Sequence, residues 1–386
     1  MNHPIKNRKI VVVNQAVNYL TIGLCNAFKD RFEKVALITG GIHTQGEELH
    51  PSIKVSIINK WYAKPFLKKL SSSIFAMVSM YFLLLTKYRN YEVIYVSVPP
   101  MLYLLNLGLP NKSAILVWDI FPDGLKITGM KETHIIYKAW SYLNCIAFKK
   151  AEIVFTISDV MGDLLTKYVS KDKIIVQPIW SIFQENDKVS KENNPFVEQH
   201  KLENKFIVQY SGNIGLAHRV EIMIELAEKM IDYPDILFQI IGKGPRKEYL
   251  EKLVHKKNLP NCQFLPFQSD EMFPYSLSAA DLGVVILDAV TAHGSVPSKS
   301  YNLMAYGIPS LYFAAEGSQL ALYAQKYSHA ASFTYEQMNK AVQYVLSLKN
   351  DRDRYLRASE NALYAASDFK RGNADKFVVK YLEKTI

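Results

Sequence analysis

The residues best suited to chemistry lie in Gly294-Ser-Val-Pro-Ser-Lys-Ser-Tyr-Asn-Leu-Met-Ala-Tyr-Gly-Ile-Pro309. Ser298 is placed to cap a short helix with Lys299 in its first turn. Gly307 followed by Pro309 ends that helix, because Gly tolerates a left-handed C-terminal turn and Pro cannot continue a helix. Free backbone N–H groups and an ammonium at the positive end of a helix would hold an anion, most simply the diphosphate of a nucleotide. Asn302, one turn after Ser298 on the same face, is within reach of a ribose hydroxyl. The bland alternative is an ordinary capped helix with a solvated lysine.

Two further stretches invite a ligand. Ser211-Gly-Asn-Ile-Gly215 and Gly242-Lys-Gly-Pro245 each follow an apolar run that reads as a strand. Their glycines let backbone approach a bound group, and a helix after the first loop presents its N–H groups. His218 and Arg219 follow within a turn. Either loop could equally be a plain turn. Asp119 follows a buried strand and precedes Pro122, which aims it at a strand-end crevice; otherwise it is a turn residue. Asp123 is expected to close the turn with Gly124. His218 and His293 lie near the expected phosphates, as ligand contacts or as surface histidines. Asp351-Arg-Asp353, the lone DxD, sits in a helical stretch and reads as a solvated turn.

The elements that must position these residues alternate. Apolar runs at 9–14, 34–39, 55–58, 92–98, 114–118, 152–157 and 173–177 read as strands, the third at an edge, with helices at 18–28, 74–85 and 134–149. The alternation restarts with strands at 206–210, 236–241, 263–265, 282–287 and 310–313. Residues 184–204 are polar, charged and without periodicity, and read as a mobile linker. Helices are expected over 318–327, 335–347 and 352–366, then a terminal helix over 369–383 with Phe377, Val378 and Tyr381 on one side. The fold class is therefore α/β, with two doubly wound parallel-sheet domains and ligands at the carboxyl ends of the strands.

At 386 residues the chain suits two domains, and 49% hydrophobic with 21% charged residues excludes a disordered protein. Three scattered cysteines form no C-x-x-C pair, so a reducing cytoplasm is the plain reading. A net charge of +10 admits nucleic acid, anionic lipid or anionic small molecules. No nucleic-acid-binding motif is present, so nucleic acid is not expected as a partner. The charge concentrates at Lys60–Lys69, with four lysines among Trp61, Tyr62, Phe66 and Leu67. An apolar run of about a dozen residues follows, to Leu85, short of the ~20 needed to cross a bilayer. The segment Lys60–Leu85 suits contact with the inner face of the cell membrane, or a buried helix beside solvated lysines.

Five stretches, in order and spacing, resemble the retaining, nucleotide-sugar-dependent glycosyltransferases of family four, which have the GT-B fold. They are Tyr210-Ser-Gly-Asn-Ile-Gly215, residues 233–245, Phe264-Leu-Pro-Phe267, residues 278–287 and residues 296–309. Val117-Trp-Asp-Ile-Phe-Pro-Asp123 and Pro178-Ile-Trp180 are similar to motifs of a bacterial surface-polysaccharide subgroup. The resemblance implies two Rossmann-like domains facing a central cleft. Residues 1–183 would bind the acceptor, 184–204 link, 205–366 hold the sugar nucleotide, and 367–386 cross back to the first domain. The diphosphate would lie between Gly212, Asn213, Ile214 and Gly215 and the helix at Ser298. The base would lie near Gly242, Lys243 and Phe267, the ribose near Asn302, with Asp119 facing the transferred sugar.

The pattern also departs from the family. Its acidic pair across the donor loop is replaced by Gly294 and Asn302, and its phosphate-flanking Arg and Lys by Asn213 and His218. Lys299 and Arg219 are therefore expected to carry the charge. No metal or other cofactor is expected beyond a UDP- or GDP-linked donor, because cations and helix dipoles can stabilise the leaving diphosphate. The implied function is transfer of a hexose-type sugar to a glycan or lipid-linked acceptor in surface polysaccharide synthesis. The alternative is a non-catalytic GT-B scaffold that partners another transferase.

Overall fold

The structure is a computed structural model, and it describes residues 5–62, 66–183, 188–215 and 218–385. The chain divides into two compact units, residues 1–182 with 371–386, and residues 183–370.

The first unit begins with β1 (Ile5–Val13), α1 (Tyr19–Lys29), β2 (Phe32–Thr39), β3 (Lys54–Ile57), α2 (Phe66–Leu85) and β4 (Glu92–Val96). It continues through β5 (Ser113–Val117), α3 (Ile135–Lys150), β6 (Ile153–Thr156), α4 (Asp159–Leu165) and β7 (Ile174–Val176). These strands form one parallel sheet in the order β3-β2-β1-β4-β5-β6-β7, with β3 at an edge. Runs such as Ile10–Val13 and Ala114–Val117 are buried throughout because helices cover both faces.

No glycine marks the turn after β1. Amides do its work instead: Asn14 Nδ2 donates to Thr21 Oγ1 at 2.8 Å, and buried Gln15 donates to the Asn59 and Ser72 carbonyls at 3.1 Å. Asn18 caps α1 by accepting from the Leu20 and Thr21 amides. Asn18→Ala should therefore cost about 1 kcal/mol. Urea unfolding followed by tryptophan fluorescence checks this.

The second unit runs α5 (Pro195–His200), β8 (Phe206–Asn213), α6 (Glu221–Lys229), β9 (Ile236–Lys243), α7 (Lys247–Lys256), β10 (Cys262–Leu265), α8 (Phe273–Ser278) and β11 (Leu282–Ile286). Then come α9 (Lys299–Ala305), β12 (Ser310–Phe313), α10 (Gln319–Tyr327), β13 (Ala330–Phe333), α11 (Met338–Asn350) and α12 (Arg352–Ala366). The sheet order is β10-β9-β8-β11-β12-β13, again parallel. Its core packs Val208, Tyr210, Phe238, Ile240, Val284 and Phe313 against Met223, Leu226 and Leu250 of the helices. Strand β13 is absent from the sequence reading: Ala330-Ala-Ser-Phe333 has no β-branched residue, and its pairing with β12 makes it a strand.

The expected linker 184–204 is only partly one. Residues 184–187 lie outside the described residues, but α5 inside it buries Phe196 and Val197 completely, with Leu202 beside them and Tyr275 packed against the cluster. The helix starts at Asn194, whose side chain accepts from the Phe196 amide, with Pro195 at its first position.

The last helix, α13 (Asn373–Thr385), belongs to the first unit. Phe377, Val378 and Tyr381 face inward, and Phe377 and Tyr381 meet Phe28 of α1 edge-on. Arg371 leads it in, paired with Glu47 at 2.9 Å and lying over the Trp180 ring. Pro178-Ile-Trp180 is thereby tied to the turn that returns the chain.

Candidate functional site

Strands β8 and β9 run on further than their apolar runs suggest, and Gly212 pairs with Gly242 and Asn213 with Lys243. The glycines expected to admit a ligand admit each other. A methyl on Gly242 would overlap the Gly212 carbonyl oxygen, and one on Gly244 the Ile214 carbonyl oxygen. Ile214 itself is a core residue, fully buried, and only its backbone faces the turn.

The Gly212 side of this turn faces Lys299. A methyl on Gly212 would come within 2.9 Å of Lys299 Nζ. That ammonium sits 4.0 Å from the centre of the Tyr210 ring. The residue as a whole is half-buried, yet the nitrogen itself is out of contact with water and has no hydrogen-bond partner among the described residues. Burial pushes its pKa from 10.5 down to about 7. The Tyr210 hydroxyl donates to the Asn213 carbonyl at 2.7 Å, which fixes the ring beneath the cation.

His218 stands beside this pair. Its Nδ1 lies 3.0 Å from the Ile286 carbonyl at the end of β11. A carbonyl only accepts, so Nδ1 carries the proton and Nε2 is the free acceptor. Burial and then the nearby Lys299 charge lower its pKa to about 4, against the carbonyl contact, which raises it. His218 is therefore neutral at pH 7 and complements Lys299 as a hydrogen-bonding group, not as a second cation.

The helix bearing Lys299 differs from expectation at its start. Ser298 already has helical backbone angles and makes no side-chain cap. Ser300 Oγ instead donates to the Pro297 carbonyl at 2.8 Å. The C-terminal end is as read: Gly307 has φ +58° and its N–H donates to the Met304 carbonyl. Asn302 follows one turn after Ser298, its N–H directed at the Ser298 carbonyl at 3.4 Å.

A second grouping lies at the β9 and β10 ends. Lys243 Nζ sits 4.7 Å from the centre of the exposed Phe267 ring. Arg219 does not join Lys299: its exposed guanidinium stacks on Tyr335 at 4.4 Å. His293 Nε2 meets the Glu316 carbonyl at 3.2 Å. Asp351 caps α12 by accepting from the Arg354 amide at 2.9 Å, so the DxD is part of a helix start.

In the first unit, Asp119 follows β5 on a loop held from several sides. The Trp118 amide donates to Ser97 Oγ at 3.1 Å, and Phe121 stacks on Trp140 at 5.6 Å. Asn144 Nδ2 donates to the Phe121 carbonyl at 2.7 Å. Asp123 does more than close the turn, accepting from Lys167, from Lys126 at 3.0 Å and from the Tyr137 hydroxyl at 2.9 Å. The Asp119 side chain keeps an open surface, although the dense protein around it raises its carboxyl to about 6 by desolvation. Asp119 is therefore a weaker acid than an ordinary aspartic acid.

Tyr210 is what the sequence reading leaves out of the site, and His218 is placed there only as one of two alternatives. The spacing of His218 from the glycine turn was visible, but its fixing depends on Ile286, far along the chain.

Residues 190–363 match the family described as Glycosyl transferases group 1. The putative colanic acid biosynthesis glycosyl transferase WcaI of Escherichia coli (strain K12) is 35% identical over 157 residues, which is 40% of this chain and 38% of that protein. The probable glycosyltransferase WbjE of Pseudomonas aeruginosa is 25% identical over 223 residues, 56% of this chain and 55% of that one. The chain thus spans roughly two-fifths to just over half the length of these relatives. Among solved structures, Anabaena HepE in complex with UDP and glucose superposes with a TM-score of 0.73 at 14% identity, over 98% of this chain and all of that one. WaaG, involved in lipopolysaccharide biosynthesis, gives 0.66 at 13% identity, over 96% and 99%. Residues 190–363 are thus similar to the glycosyl transferases group 1 family, in a chain with the GT-B fold.

Proposed function

We propose that this protein is a retaining glycosyltransferase that moves a sugar from a UDP- or GDP-linked donor to a glycan or lipid-linked acceptor in surface polysaccharide synthesis, in the cytoplasm. The observation that carries the reading is the Lys299 ammonium, buried without a hydrogen-bond partner among the described residues, beside Gly212 and neutral His218. A buried cation left unpaired is costly, and a diphosphate would supply the missing partner. Lys299 then stabilises the charge that develops as the nucleotide leaves, with the Gly212–Gly215 turn beside it.

The Lys243–Phe267 grouping serves the base, one ring face and one cation, and Asn302 serves the ribose. Ser298 contributes its backbone N–H. Arg219, engaged with Tyr335, acts at most through its field. Asp119 is the first unit's residue for the acceptor. No metal enters the scheme. The relatives named for polysaccharide and glycosyl transfer, and the neighbour that holds UDP, support the substrate class.

A panel of UDP- and GDP-sugars tested for thermal stabilisation identifies the donor, because a bound ligand raises the midpoint by mass action, by about 2.7 kcal/mol at a hundred times Kd. One nucleotide series should stabilise the protein. Product anomers read by NMR then decide retention. A scaffold would show no stabilisation by any nucleotide, and an inverted anomer would end the retaining assignment.

A further inference from the structure

Helix α2 is one residue set with two faces. Ser72, Ala76, Met80 and Leu84, spaced by four, turn inward and are buried. The outward face carries Leu67, Ile74, Phe75, Val78 and Phe82, with Leu67 77% and Phe82 59% exposed. By length and composition 67–85 would suffice to cross a bilayer, unlike the shorter run first read from the sequence. It does not span, because β3 before it and β4 after it join the same sheet and its inner stripe is packed. A helix so built lies flat.

Helix α3 repeats the pattern. Tyr137, Asn144, Ala147 and Phe148 are buried, while Ile135, Ile136, Tyr142 and Ile146 are exposed, Ile135 by 74%. The β3-to-β4 and β5-to-β6 connections run in one direction along the sheet, and right-handed crossovers place both helices on one side. Both are tied to the turn at 102–108 between them. The Tyr81 hydroxyl donates to the Gly108 carbonyl at 3.2 Å, and Asn106 Nδ2 to the Ala147 carbonyl at 2.9 Å. The opposite side of the sheet carries α1 and α13.

The charge on these helices has one sign. Neither α2 nor α3 contains an acidic residue, while Lys68, Lys69, Lys138 and Lys149 are exposed. Lys68 lies 4.0 Å from the centre of the Tyr62 ring at the start of α2, an aromatic and basic margin to the apolar strip. We propose that the α2 and α3 faces together form a platform that docks the first unit on an anionic lipid bilayer. The apolar side chains enter the headgroup boundary, and the lysines meet lipid phosphates. The second helix is the new element: the sequence had pointed only to 60–85.

The test is flotation of the full chain with phosphatidylcholine vesicles, with and without phosphatidylglycerol. The protein should float with the anionic vesicles and lose about tenfold or more in affinity on neutral ones. Phe75→Ser with Phe82→Ser, and separately Ile135→Ser with Tyr142→Ser, should each weaken binding by about tenfold or more. Lys68→Ala with Lys69→Ala should cost about fivefold per lysine on anionic vesicles alone, and added salt should mimic it. This lysine pair also serves if an apolar variant fails to fold. Nucleotide stabilisation should be unchanged in all three, so failure here is separable from failure of the glycosyl-transfer reading. Absence of vesicle binding overturns the proposal, as does binding indifferent to all these substitutions. So does self-association without vesicle binding that the same substitutions abolish, since the face would then join copies of the chain.

Discussion

Lys299→Met is expected to lower donor turnover by about 10²–10³-fold while making the empty protein harder to unfold. The two effects have one cause. Without nucleotide the ammonium has lost its water and, among the described residues, gained the Tyr210 face without a hydrogen bond. A cation over a ring recovers about 2 kcal/mol when desolvated, less than the several kcal/mol that removing it from water costs. Methionine fills a similar volume without the charge, so the unfolding midpoint rises. In the reaction the same charge meets the departing phosphate, and methionine offers nothing there. Donor hydrolysis and calorimetric unfolding of the two proteins are the measurements. Turnover within tenfold of the parent would remove Lys299 from the chemistry. A lower midpoint would make it a structural residue.

The same group sets a pH dependence. Lys299 drops from 10.5 in the unfolded chain to about 7 in the fold. Between those values the unfolded state binds the extra proton, so stability rises with pH from about 7 to about 10.5. Lys299→Met should flatten that rise. A bound diphosphate favours the ammonium, so nucleotide binding at pH 8 should take up a proton. Titration calorimetry in buffers of different ionisation enthalpy reads this directly, and a buffer-independent enthalpy would contradict it.

Much of this was written locally in the chain. Ile10–Val13 and Leu282–Ile286 announce buried parallel strands because both of their faces are covered. Gly307 and Pro309 announce the end of α9 because the backbone there needs what only those residues supply. What stayed hidden depends on partners distant in sequence. Strand β13 is four small or mixed residues that become a strand only against β12. Helix α5 carried its signal, Asn194 and Pro195 before Phe196 and Val197, within a charged surround that masked it. Ser298 fits the spacing of a cap, but its backbone is already helical, which turns the hydroxyl away from the role. Spacing placed Lys299 near an anion site; its isolation from water comes from the β8 turn and Tyr210, nearly ninety residues earlier.

The loop bearing Asp119 gives the second large effect. Asp123→Asn is expected to destabilise the first unit by about 2–3 kcal/mol at pH 7. Asp123 is largely covered, and its carboxylate gathers Lys167, Lys126 and the Tyr137 hydroxyl. Burial alone would raise its pKa, but hydrogen bonds from Lys167 and Lys126 outweigh that and hold it below the ordinary 3.8. The two lysines remain partly exposed and can be rehydrated, which keeps the cost below that of a fully buried pair. A folded-state value below the unfolded one means stability present above the ordinary carboxyl range and lost as pH falls through the folded value. The gap between parent and Asp123→Asn should therefore be full at pH 7 and close in acid. All four tryptophans, Trp61, Trp118, Trp140 and Trp180, lie in the first unit, so their fluorescence follows its unfolding alone. Loosening the loop should also cut sugar transfer by about 10²-fold, since small misplacements of a reacting group are that costly. Nucleotide stabilisation of the second unit should survive. A gap constant from pH 7 into acid would show that the Asp123 charge does not hold the loop.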